Sequence, residues 1–178
     1  LGMNPLLQDI GVSFHPPILY LGYVGFSLPF SASLSVLILK NTDYWIESIK
    51  PWILFAWSFL TIGIGSGAWW AYRELGWGGF WFWDPVENAS LIPWITSTAL
   101  IHSMKFSKKS TSQLSWTVLL SILTFTLVMI GTFIVRSGTI ASVHSFAQDS
   151  KRGFFILISV FFISGSALLL YAFNFKKL

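Results

Sequence analysis

Five apolar stretches divide the chain, at about 16–39, 51–72, 85–104, 114–135 and 154–173. Each runs to roughly 20 residues, enough for a helix to cross about 30 Å of hydrocarbon. Backbone amides inside a bilayer must bond within their own segment, so spans of this kind become helices. Only 10% of the 178 residues are charged, against 54% hydrophobic; a soluble domain carries roughly a quarter charged. The expected fold is therefore all-α: a polytopic membrane helix bundle of about five transmembrane helices, forming one membrane domain over 1–178.

Prolines and acids mark the helix starts. Pro16 and Pro17 are expected in the first turn of the first span, and Pro51 at the opening of the second, where a missing N–H costs nothing. The third span opens with DPVE: Asp84 as N-cap, Pro85 at N1 and Glu87 at N3, which is a capping box. Pro93 should kink this helix.

Loop charges give an orientation. Lys40, Lys50, Lys105, Lys108, Lys109, Lys176 and Lys177 fall in alternate loops and the tail; Arg73, Arg136, Lys151 and Arg152 fall in the others. The basic excess belongs inside. The N-terminal segment, the loop after residue 74 and the loop 136–152 then share the outer face. The net charge of +4 is explained by these inner lysines, so nucleic acid is not an expected partner; the lipid bilayer is. Having no cysteine, the chain holds no disulfide, iron–sulfur ligation, zinc–thiolate site or catalytic thiol of its own. The N-terminal LGMNPLLQDIG lacks a basic stretch followed by an apolar one, so no cleavable leader is expected.

The outer face collects the chemistry. Six of ten tryptophans lie within 69–94: Trp69, Trp70, Trp77, Trp81, Trp83 and Trp94. An aromatic belt at the headgroups explains one or two per helix end. The run GWGGFWFWDP goes further, with Gly76, Gly78 and Gly79 allowing close backbone approach. A flat platform for a porphyrin is the competing reading. His15 and His144 both fall on this face. Two imidazoles on opposite sides of a macrocycle hold haem iron; alternatively each is an interfacial histidine reaching water. Ile140, Val143, His144 and Ala147 share one helical face, as for a short interfacial helix. Asp84 and Glu87 are accounted for by capping. Arg73, Arg136 and Arg152 suit haem propionates or snorkelling at helix ends. His102 sits some 17 residues into the third helix, about 25 Å from its outer end at about 1.5 Å per residue, and an ionisable group at that depth is a functional candidate.

Four segments carry a family resemblance. WGGFWFWDPVENASLIPW resembles the tryptophan-rich WWD signature of haem-handling proteins. HPPILYLGYVGFSLPF, SGAWWAYRELGWGG and GTFIVRSGTIASVHSFAQDSKRGFFIL are similar to the flanking segments of the cytochrome c maturation haem lyase subunits, the CcmF family. The match runs in order over nearly the whole chain. The resemblance implies that the tryptophan segment (Trp77, Trp81, Trp83, Asp84) contacts a transient outer haem delivered by a haem chaperone. It implies that His15 and His144 ligate its iron, and that the haem vinyls are joined to the thiols of a CXXCH apocytochrome c. It implies further that His102 ligates a b-type haem held within the membrane, with a second ligand from another part of the same lyase. Family members are several times longer, so the chain resembles a central segment or a split-gene product that needs partner fragments. Split forms and the composition favour a mitochondrial inner membrane, with a bacterial one as the alternative. Competing functions are a structural membrane subunit with a silent haem site, a haem conduit, and a quinol-to-haem electron-transfer module using His102.

Overall fold

The computed structural model describes residues 2, 5–43, 45–106, 110–142 and 149–175. After a 3-10 turn at Pro5–Leu7, the described residues form six α-helices: α1 Ile10–Gly25, α2 Ser27–Leu39, α3 Trp45–Glu74, α4 Pro85–Met104, α5 Thr111–Ser137 and α6 Ser150–Asn174. The first expected span is α1 and α2 together, interrupted at Phe26. The cause is local: Pro29 has no N–H to offer the Gly25 carbonyl, and Ser27 Oγ donates to Val24 O at 2.7 Å.

Several helices begin earlier than their apolar windows. Asp9 caps α1, accepting from Gly11 N at 2.7 Å, and α3 starts at Trp45. Pro16, Pro17 and Pro51 therefore lie inside helices rather than in their first turns. The α4 capping box is present as expected, with Asp84 accepting from Val86 N and Glu87 accepting from Asp84 N.

Four stretches are long and apolar enough to cross a membrane by length and composition: Ile10–Leu39, Trp45–Glu74, Thr111–Ser137 and Ser150–Asn174. The chain is an integral membrane segment. At 20 residues α4 has the length but not the hydropathy, because it carries Glu87, Asn88 and several hydroxyls. Those hydroxyls turn back onto their own helix: Ser90 Oγ donates to Glu87 O at 2.7 Å and Ser97 Oγ to Trp94 O at 2.9 Å. A reciprocal clamp joins α4 to α3. Trp57 Nε1 donates to Thr98 Oγ1 at 2.9 Å, Trp94 Nε1 donates to Thr61 Oγ1 at 2.8 Å, and the two indoles stack with centroids 6.1 Å apart.

At Pro93 a carbonyl is released rather than lost. Proline cannot donate to Ala89 O, and Tyr23 of α1 does so instead, its hydroxyl lying 3.1 Å from that oxygen. Gly131 of α5 approaches the same carbonyl; a Cβ there would lie 2.9 Å from it. Small residues also bring α1 onto α3: a Cβ on Gly22 would lie 2.6 Å from the Leu60 amide nitrogen, and one on Gly63 would lie 2.8 Å from Leu19 Cα. Where no hydrophobic force drives helices together, such close crossings supply the packing.

The helix order brings three segments to one end. Arg73 pairs with Asp9 at 3.2 Å, Ser142 Oγ donates to Asp84 Oδ2 at 2.7 Å, and Ser137 packs on Gly153. Lys40, Lys50 and Lys105 stand at the opposite end, beside a core cluster containing Leu37, Ile49, Met104 and Leu114. Lys108, Lys109, Lys176 and Lys177 lie outside the described residues.

Candidate functional site: a histidine between the tryptophan loop and three helices

His15 is the sixth residue of α1, not its first, and its ring lies against α3. Its Nδ1 is 2.7 Å from Gly63 O. A carbonyl only accepts, so Nδ1 carries the hydrogen. In the neutral ring Nε2 then holds the lone pair, which is the usual arrangement of a metal-binding histidine. One turn along α3, Gly67 makes room for the ring: a Cβ there would meet Cε1, and would lie 2.8 Å from Nδ1 and 2.9 Å from Nε2. Gly63 and Gly67 are four residues apart, so they share a helical face. That spacing was visible in the sequence, but not its partner.

Three spaces surround this histidine and the adjoining loop. A cavity of about 220 Å³ lies on the α5 side of His15, bordered by Tyr20, Tyr23, Trp70, Thr132 and Arg136. A small pocket of about 30 Å³ lies toward α4, bordered by His15, Gly67, Trp81, Glu87 and Ser90. Beyond Trp81 and Ile64, which border both, an open groove of about 410 Å³ runs past Gly65, Trp83, Leu91 and Trp94. That volume falls within the roughly 300–1,000 Å³ of small-molecule sites. A Cβ on Gly65 would meet nothing within 4 Å among the described residues.

The tryptophan loop is not one flat plate. Trp81 and Trp83 meet edge to face at 89°, and Trp77 is tilted 41° to Phe82. The backbone explains the arrangement. Trp83 has φ 58, a left-handed conformation that costs an L-residue about 1–2 kcal/mol. It turns the indole outward, where it is 69% exposed. Glu87 Oε2 accepts from Phe82 N at 3.1 Å and from Asp84 N at 3.2 Å, while Asn88 Nδ2 donates to Trp83 O at 2.8 Å. These bonds hold the peptides on both sides of the strained residue. Gly76 and Gly78 serve positive-φ turns (φ 64 and 69), with no neighbour for an added Cβ within 4 Å among the described residues, so they mark no close approach to them.

The remaining candidates separate. Asp84 is half-buried and engaged in capping and in its bond to Ser142. Arg136 lies in the last turn of α5, borders the 220 Å³ cavity and offers its carbonyl to Asp149 N at 3.0 Å. Arg73 lies over the Trp69 ring at 4.5 Å, a cation–π contact. His102 stands exposed near the lysine-bearing end of α4, its Nδ1 2.8 Å from Thr98 O. It is remote from His15 and shows the same carbonyl-set tautomer. His144 lies outside the described residues, and residues 139–142 before it are not helical. Among the described residues no group of three or more histidine, cysteine or acidic side chains is arranged to hold a metal ion.

The donor set fits a flat, largely apolar group with a metal centre better than a bare ion. It offers one imidazole with its Nε2 lone pair, indoles at two orientations, an open glycine floor and a nearby guanidinium.

Comparison with known proteins shows which family the sequence and fold resemble. The family model described as Cytochrome C assembly protein matches residues 2–144. The chain is 60% identical over 171 residues to the cytochrome c-type biogenesis protein ccl1 of Rhodobacter capsulatus, covering 96% of this chain and 26% of that protein. It is 54% identical to CcmF of Haemophilus influenzae, covering 97% of this chain and 27% of the relative. A solved structure described as cytochrome c heme lyase CcmF superposes with a TM-score of 0.77 at 32% identity, over 93% of this chain and 26% of its own. The chain thus spans about a quarter of the length of these relatives.

Proposed function

The chain belongs to the cytochrome c assembly protein family, and on that premise we propose that it is the haem-presenting membrane segment of a cytochrome c haem lyase. It takes haem from a haem chaperone on the outer face and holds it for attachment to a CXXCH apocytochrome c. The observation that carries this reading is the His15 Nδ1–Gly63 O bond, which leaves Nε2 as the lone-pair nitrogen of a ring bordering both the cavity on the α5 side and the pocket next to Trp81. Haem bound there would supply vinyl groups for thioether bonds. The chain's own work is positioning: His15 and His144 hold the iron, Trp77, Trp81 and Trp83 flank the ring, and Arg136 pairs with a propionate. Fixing such partners removes orientational entropy from the attachment step. His102, with its Nε2 likewise set as the lone-pair nitrogen, contributes one ligand to a membrane b-haem whose other ligand comes from another part of the same lyase. The relatives named come from bacteria, which supports a bacterial membrane; the expectation of a mitochondrial one rests on composition and the split-form analogy alone.

The test is His15→Ala in the complete assembly. Expected are loss of the outer haem spectrum and of cytochrome c maturation, with the membrane haem retained and partial recovery on adding imidazole. An unchanged haem spectrum would refute the assignment, and a wild-type assembly without haem would favour the structural-subunit alternative.

A further inference from the structure

Two buried polar atoms at this site have no hydrogen-bond partner among the described residues: Trp81 Nε1 and Glu87 Oε1. Glu87 as a whole is 8% exposed. The two residues border the same 30 Å³ pocket, together with His15 and Ser90. The indole N–H only donates and the carboxylate only accepts. They are complementary, yet they do not bond each other. A water both accepts and donates, needs about 10–15 Å³ of space and is stable where two to four polar groups surround it.

We propose that the pocket between His15, Trp81, Glu87 and Ser90 is a built site for one water molecule, and that through this water Glu87 positions Trp81 beside His15 for haem. The water accepts from Trp81 Nε1 and donates to Glu87 Oε1, with the His15 ring and Ser90 Oγ at its edge. Glu87 then has two tasks. Oε2 holds the amides of Phe82 and Asp84, and so the strained turn at Trp83. Oε1 holds the water, and so the inward face of Trp81. One carboxylate thereby links the outward indole and the inward indole beside the candidate ligand. Capping alone accounts for Oε2 and leaves Oε1 unexplained. The role toward haem rests on the function proposed above; the water site does not.

The experiment therefore reads the site first without haem. In the complete haem-free assembly, the indole N–H of Trp81 is followed by ultraviolet resonance Raman, assigned by difference against Trp81→Phe. The expected signature is a hydrogen-bonded N–H that Glu87→Gln and Glu87→Ala both shift. A map resolving ordered water should show a peak within hydrogen-bond distance of both atoms. A dry pocket, a non-bonded indole N–H, or a direct Trp81–Glu87 bond would overturn the site. Haem titration follows. Glu87→Ala should weaken outer haem binding roughly tenfold, the lower end of the range for outer-shell groups around a metal site. Glu87→Gln keeps a carbonyl for the backbone amides and should recover part of that loss. If the water is present but both variants bind haem as wild type, the positioning role is overturned while the water site stands. If wild type binds no outer haem, the function proposed above fails instead.

Discussion

Replacing Gly67 with alanine tests the geometry around His15. Alanine favours an α-helix over glycine by about 1 kcal/mol, so α3 alone would gain stability. Here the added Cβ lands on the His15 ring, 2.8 Å from Nδ1 and 2.9 Å from Nε2. The ring cannot yield without leaving Gly63 O, which it bonds at 2.7 Å. Losing that bond costs about 1 kcal/mol, and overpacking costs about 1–3 kcal/mol more. The net expectation is destabilisation by about 1–3 kcal/mol. Gly65→Ala is the control two residues away, where a Cβ meets nothing within 4 Å among the described residues; it should gain up to about 1 kcal/mol. Both variants, in the complete chain in detergent, are compared by thermal denaturation and haem titration. Gly67→Ala should lose stability and haem affinity together. Adding His15→Ala to it should restore stability but not haem. Equal stability of the two glycine variants would refute the placement of His15 against α3.

Tyr23→Phe leaves Ala89 O, at a residue 3% exposed, without its phenol donor and should destabilise by about 1–3 kcal/mol. In a Pro93→Ala background the restored N–H serves that carbonyl, so a double-mutant cycle should show a smaller cost; strict additivity would contradict the compensation. Trp83→Gly relieves the left-handed strain and should raise stability by about 1 kcal/mol while lowering haem capture. Trp83→Ala should lower capture with no gain in stability, and matched thermal melts for the two would show that strain is not stored there.

Much of this fold is local, and the local part was legible. Hydropathy windows locate helices because every span must bury its own amides. DPVE predicted the α4 start because a capping box closes within four residues. Alternating helices then brought His15, the tryptophan loop and the end of α5 to one side. The apolar windows misjudged helix starts, since Asp9 and Trp45 begin helices in polar sequence and leave three prolines inside. α4 is the least apolar of the expected spans, and its hydroxyls are satisfied along its own backbone. Tertiary structure alone decided which groups meet. That Gly63 and Gly67 seat His15, and that Tyr23 serves the carbonyl released by Pro93, depends on the register between helices. So does the orphan oxygen of Glu87 beside Trp81. Close small-residue crossings set that register, and neither hydropathy nor capping encodes which residue of one helix stands opposite which residue of the next.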